Sequence, residues 1–278
     1  MAERRNRARP ASFRLAESID VEIPEASDVT VLPDGRFLVV SDLERNAALV
    51  GRKGRVKRVP LLDGGDADEE SGFEAVAYDP RAERLYVVSE ERHELEIYAF
   101  RGRASSKPRL LAHRPLPYRT TATKKEKKKR STRKGRNKGV EGMAWLPASL
   151  SPTGKSHLVL AKEARPCALA LLDPSGKGPL REIALDERIE EACNDFSGLA
   201  VDRTTGHLFI CSDESATFAE IAFVERRGEL RAELVGATKL RDAKGRRMNR
   251  VEGITLDERG DLYVLLENDR ELWHLERT

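Results

Sequence analysis

Acidic and hydroxyl side chains recur at one position of a repeating pattern in this chain: Ser27, Glu74, Glu141, Ser197 and Glu252, at spacings of 47, 67, 56 and 55 residues. Each opens a short apolar run, as in Glu74-Ala75-Val76-Ala77-Tyr78-Asp79 and Glu252-Gly253-Ile254-Thr255-Leu256-Asp257. A second polar position closes the strongly apolar run that follows, and is filled by Asp42, Glu90, Lys162, Asp213 and Glu267. Three glutamates brought to one axis repel one another unless they are protonated, hydrogen-bonded or bridged by a cation. A hard divalent ion answers that demand, because Ca²⁺ takes six to eight oxygen ligands, water included. The metal candidates are therefore Glu74, Glu141 and Glu252, with Asp195 two residues ahead of its anchor. The competing reading has these carboxylates accept backbone N–H groups, with Gly142, Gly198 and Gly253 permitting close approach. Ser27, Asp28, Ser197, Glu214 and Asn268 complete the expected channel set together with the second ring. Lys162 either offsets the acids and holds an anionic group, or belongs to a salt-bridged rim.

These residues need elements that present them together. Each repeat reads as a short apolar strand, a turn containing Gly or Pro, a strongly apolar strand and then two more strand-like runs, such as Leu95 to Phe100 with Arg109 to Ala112, and Ala219 to Val224 with Leu230 to Val235. Four strands per repeat of about fifty residues make a β-propeller blade, whose innermost strand lines a central channel. The fifth repeat has room only for a third strand, Glu271 to Glu276, while Phe13 to Ile19 has no partner of its own. The N-terminal strand is thus expected to complete the last blade and remove two open sheet edges. The prediction is an all-β, five-bladed propeller over residues 13–278, with six blades as the alternative, preceded by a flexible basic stretch over residues 1–12.

Composition narrows the classes further. With 39% hydrophobic and 35% charged residues in 278, the chain can build a core and is not wholly disordered. The net charge of +3 is misleading, since Lys124 to Lys138 holds ten Lys or Arg against one Glu, and without it the remainder is −6. That basic run, within an insertion at about 121–138, is expected to be disordered and to offer weak, salt-sensitive contact to polyanions. The start has no apolar signal core and no run reaches membrane-spanning length, so a cytoplasmic monomer without a transmembrane segment is expected. Cys167, Cys193 and Cys211 lack CxxC spacing and read as reduced thiols. No HExxH, GxSxG, GxGxxG or P-loop pattern is present, which removes the standard zinc-protease, α/β-hydrolase, dinucleotide and P-loop signatures.

Several motifs taken in order, Gly139-Val140-Glu141-Gly142-Met143-Ala144-Trp145, Asp195-Phe196-Ser197-Gly198-Leu199-Ala200-Val201-Asp202, Cys211-Ser212-Asp213-Glu214-Ser215 and Val251-Glu252-Gly253-Ile254-Thr255-Leu256-Asp257, resemble the SdiA-regulated family of bacterial β-propellers, which includes calcium-regulated members. The resemblance spans about Ser27 to Glu276 and implies an acidic channel and calcium binding, with Glu74, Glu141, Asp195, Ser197, Asp213, Glu214 and Glu252 carried over. The Glu-Gly motif is also similar to that of lactonase-type and phytase-like propellers. Two functions follow as expectations: a calcium-binding scaffold that takes a small molecule or protein at the channel face, or a metal-dependent esterase, phosphatase or lactonase.

Overall fold

The computed structural model describes residues 10–61, 72–90, 92–103, 105–116, 139–163, 167–226 and 228–278. The basic insertion and the first nine residues lie outside them. The second strand of each repeat, β3 (Phe37–Ser41), β7 (Arg84–Ser89), β11 (His157–Lys162), β15 (Leu208–Ser212) or β19 (Leu262–Leu266), is buried almost throughout, because both of its faces are covered by neighbouring sheets. Inside it runs a first strand: β2 (Ala26–Val31), β6 (Phe73–Asp79), β10 (Val140–Leu146), β14 (Gly198–Val201) or β18 (Val251–Leu256). Outside it lie β4 (Asn46–Val50), β8 (Glu94–Ala99), β12 (Ala168–Leu172), β16 (Thr217–Arg226) and β20 (Glu271–Arg277). The outermost set is β5 (Val56–Pro60), β9 (Arg109–Pro115), β13 (Arg181–Leu185), β17 (Glu229–Lys239) and β1 (Phe13–Asp20). In this outermost set β9 alternates between exposed and half-buried residues, because only one of its faces is packed.

Three sheets are separate and four-stranded: β2 to β5, β6 to β9, and β18-β19-β20-β1. In the last, β1 pairs antiparallel with β20 from Phe13 opposite Arg277 to Asp20 opposite Glu271, so the N-terminal strand closes the final sheet. The remaining strands depart from separate sheets. The long β16–β17 hairpin reaches β13, and a parallel pairing of Ala184 and Leu185 with Arg231 and Ala232 fuses β10 to β13 and β14 to β17 into one eight-stranded sheet. A short helix, α1 (Glu187–Ala192), capped by Asp186, follows β13. No described helix is long and apolar enough to cross a membrane.

Apolar clusters fill the gap between each pair of consecutive sheet units. Leu38, Val40 and Leu49 meet Val76, Leu85 and Val87, and Phe37, Val39 and Ala48 meet Tyr263, Leu265 and Leu272 across the closure. First strands pack side by side in a cycle, β2 on β6, β6 on β10, β10 on β14, β14 on β18 and β18 back on β2. Ion pairs tie neighbouring sheets: Arg52 to Asp257 at 2.8 Å and Arg277 to Asp202 at 2.7 Å. Asp79, Asp202 and Asp257 each end a first strand and accept the backbone N–H two residues on, at 2.8, 2.8 and 2.9 Å, which fixes the turn into the second strand. All three cysteines are buried thiols.

Candidate functional site

The recurring glutamates sit on a recurring backbone irregularity. In β2 the register steps from Ala26 opposite Ser41 to Asp28 opposite Val40, leaving Ser27 as an extra residue. The same bulge isolates Glu74 in β6, Glu141 in β10 and Glu252 in β18. In the fourth repeat Ser197 N–H donates to the Cys211 carbonyl at 3.0 Å while Gly198 also faces Cys211, which gives the same two-against-one geometry. A bulge re-aims the side chain of its unpaired residue. Here it does so five times, and all five residues line one cavity of about 210 Å³ at one end of the first strands.

A second ring follows the ends of the second strands. Asp42, Glu163, Asp213 and Glu267 line the same cavity. Backbone bonds fix them, since the N–H groups of Asp42, Glu90, Glu163 and Glu267 donate to the carbonyls of Glu25, Gly72, Gly139 and Arg250 at 3.0, 2.8, 3.4 and 3.0 Å. The lysine expected in this ring is not there. The bulge in β10 pairs Val140 with Lys162, which puts Lys162 in the ladder where Ser41, Ser89 and Leu266 stand in other repeats, and Glu163 takes the ring position. Lys162 is therefore not part of the cavity lining.

Four other expected channel residues lie outside that lining. Glu90 packs against Gly139, where a Cβ would stand 2.6 Å from its Cγ, although its charge still reaches Glu74 and Glu141. Glu214 contributes its backbone, donating to Asp195 Oδ1 at 3.2 Å. Asn268 is an exposed turn residue. Asp28 lies one layer deeper, at a waist where the residue after each bulge meets its neighbours backbone to backbone. A Cβ on Gly142 would be 2.9 Å from Gly198 Cα, one on Gly198 2.9 Å from Gly253 Cα, and one on Gly253 2.8 Å from Asp28 Oδ1. The Asp28 carboxylate fills the axis there, accepting from the N–H groups of Val29 and Val76 at 2.8 Å each. Burial pushes its carboxyl well above the usual range in spite of these bonds.

Hydrogen bonding satisfies some of these carboxylates and not others. Asp195 accepts from the Ser212 hydroxyl and the Glu214 N–H, and Asp213 accepts from the Val251 N–H at 3.3 Å. Glu74, Glu141 and Glu252 have no paired donor among the described residues, and Glu141 Oε1 is buried with no partner. Burial first, and then the charges of Asp42 and Glu90, hold Glu74 well above its ordinary value; burial and then Glu74 and Glu163 do the same to Glu141. Burial and the neighbouring Glu267 and Asp213 raise Glu252 to about 8. Burial, then a hydrogen bond with Glu25, lifts Glu267 to about 7.

Among the described residues, nine acids and one cation, Arg250, therefore line the cavity. Glu25, Glu163 and Arg250 were not singled out as ring members from the sequence. Gly72 and Gly139, which occupy in two repeats the column held by Glu25 and Arg250, are the signal that could have exposed that position. The acids offer only oxygen donors, a set that suits a hard cation, and Glu141 Oε1 has no hydrogen-bond partner among the described residues. Among the described residues, however, no three His, Cys, Asp or Glu side chains are drawn together into a ready cluster of protein ligands. Room for several waters, at about 30 Å³ each, fits a cation held partly through its own hydration shell.

Likeness to solved structures is one of fold alone. Glutaminyl cyclase from Myxococcus xanthus aligns with a TM-score of 0.59 at 11% identity, over 96% of this chain and 97% of that one. The PQQ-bound aldose sugar dehydrogenase from Streptomyces coelicolor aligns with a TM-score of 0.58 at 12% identity, over 98% and 100%. Both are propeller-type proteins. A family model is more specific: it matches residues 116–270, more than half of the chain and including the third, fourth and fifth bulge motifs, and on that match the chain belongs to the SdiA-regulated family.

Proposed function

We propose that the chain is a five-bladed propeller that binds a divalent cation, Ca²⁺ foremost, in its carboxylate bowl and uses that face to hold a ligand. The blade count rests on the cycle of five first strands and the apolar cluster between each consecutive pair. The cation reading rests on one observation above all, the buried and unpartnered Glu141 oxygen among acids that raise one another. Glu74, Glu141 and Glu252 would hold the ion, with Asp195 beside them. When bound, it would supply positive charge where Arg250 is the one cationic residue among the described lining, and the glutamates would release the protons they otherwise retain. Calorimetry with Ca²⁺ on chelator-treated protein tests this.

A hydrolytic reading is supported by Glu252 and Glu267, whose carboxyl groups are raised to about 8 and about 7, the range that suits proton transfer near neutral pH. Assaying lactones and phosphate esters with and without Ca²⁺ separates the two readings. Metal-dependent turnover that Glu141→Gln abolishes favours the hydrolase, and its absence favours the binding protein.

A further inference from the structure

The position two residues before each bulge is held by Glu25, Gly72, Gly139, Asp195 and Arg250. Its backbone is left-handed in three repeats, with φ of 43° at Glu25, 57° at Gly72 and 54° at Arg250. Glycine adopts this region without strain, and a side chain with Cβ does not. One repeat uses the glycine that the conformation favours. In the fifth repeat the same conformation carries the longest cationic side chain available, and that side chain lines the acidic cavity.

Arg250 is not locked to the acids around it. Its carboxylate contact is Nε to Glu267 Oε2 at 3.8 Å, beyond hydrogen-bond range, and its side chain is 57% exposed. Other arginines of this molecule close on their acids, as Arg277 does on Asp202 at 2.7 Å. A guanidinium presents several N–H donors in a planar fork matched to carboxylate and phosphate. At Arg250 that fork stands at the rim of a bowl whose floor holds the unpartnered Glu141 oxygen. Cation-seeking oxygens and an uncommitted anion-seeking fork thus share one cavity.

We propose that Arg250 is the anion-receiving residue of this site, and that the bowl takes a ligand bearing a carboxylate or phosphate group that reaches the bound cation and the Arg250 guanidinium together. This rests on the cation reading given above. A cation alone would satisfy the glutamates and leave the guanidinium idle. An anion alone would be repelled by those of the lining acids that stay ionised.

Calorimetry on the full chain tests it with three titrants: Ca²⁺ alone, then phenyl phosphate and phenylacetate, each with and without saturating Ca²⁺. The wild type should bind at least one of the two anions only when Ca²⁺ is present, and the preferred anion identifies the ligand class. Arg250→Gly should weaken that anion about ten- to a hundred-fold, the range expected for losing hydrogen bonds to a charged group, while Ca²⁺ binds as well as before or better. Arg250→Lys should recover part of the loss. Thermal unfolding of Arg250→Gly should stay at or above the wild-type midpoint, because glycine is at ease at this φ. Calcium binding with no anion binding, or an anion affinity unchanged in Arg250→Gly, overturns the role of Arg250 and leaves the cation site standing. A midpoint lowered by more than about 5 °C assigns Arg250 to the fold instead. Failure of Ca²⁺ itself to bind overturns both readings.

Discussion

The two ends of the same five strands have opposite chemistry. At one end bulges turn Ser27, Glu74, Glu141, Ser197 and Glu252 into a polar bowl of about 210 Å³. At the other, Val29, Val31, Val76, Met143, Leu199 and Leu256 leave about 30 Å³, space for roughly one water, with Arg203 as the charged residue at its edge. Between them the glycine waist and the Asp28 carboxylate close the axis. The difference arises from register. Beyond the bulge each first strand resumes regular alternation and shows the axis apolar residues, whereas at the bulge an extra residue escapes that alternation. The molecule is thus a one-sided cup, and the account can be tested layer by layer.

The largest effect is expected at the waist. In Gly198→Val the new Cβ would stand 2.9 Å from Gly253 Cα and 3.0 Å from Cys211 Sγ, so the backbone of two strands must move. Overpacking of this kind costs about 3 kcal/mol. Urea unfolding should show that loss; a variant as stable as wild type would mean that the waist is not closed by backbone contact.

Next comes the bowl itself, where stability and pH are linked. Glu252 has an ordinary value of 4.5 and a folded value of about 8, so between those pH values the folded chain retains a proton that the unfolded chain has released. Stability of the chelator-treated protein should therefore be highest below about pH 4.5 as far as this group is concerned, and fall as pH rises through about 8. Glu252→Gln should flatten that slope, and saturating Ca²⁺ should raise stability most at the alkaline end. A metal-free protein whose stability climbs from pH 5 to 8 would contradict the electrostatics described for the bowl.

Glu141→Gln sharpens the contrast between shape and charge. It keeps the side-chain volume and removes a buried group that is costly to ionise, so chelator-treated protein at pH 8 should gain about 1 kcal/mol while its Ca²⁺ affinity drops at least about ten-fold. Parallel denaturation and calorimetry would reveal whether the two changes move in opposite directions, as the account requires. The smallest effect belongs to the far end. Arg203→Met should alter stability by less than about 0.5 kcal/mol and leave Ca²⁺ binding unchanged, because the closed waist separates it from the bowl. A changed Ca²⁺ affinity in that variant would show that the two ends communicate.

Much of this cup is legible in the sequence, and its misreadings have physical causes. The Glu-Gly pairs at 141–142 and 252–253 and the Ser-Gly pair at 197–198 point to the bulge and the waist together, and the unpaired N-terminal strand points to closure with the last one. Assigning Lys162 to the second ring fails by one residue, because apolar length alone does not reveal where a bulge resets the register. Asp28 reads from the sequence as a channel acid, yet it stands in the column of Gly142, Gly198 and Gly253, and its carboxylate occupies the space that Gly253 leaves. The fused eight-stranded sheet depends on two residue pairs between β13 and β17, far apart in sequence and without local signature. Glu25 and Arg250 are obscured because left-handed backbone is announced only by glycine, at Gly72 in the equivalent position.

The central claim, that the bowl is a cation site kept protonated in the absence of its ion, is tested most directly by titrating Ca²⁺ into chelator-treated protein at pH 7 in two buffers of different ionisation enthalpy. The account predicts saturable binding at millimolar Ca²⁺ or below, with about one or more protons released per ion as Glu74, Glu141 and Glu252 ionise. No heat and no thermal shift at millimolar Ca²⁺, or binding without proton release, would contradict it.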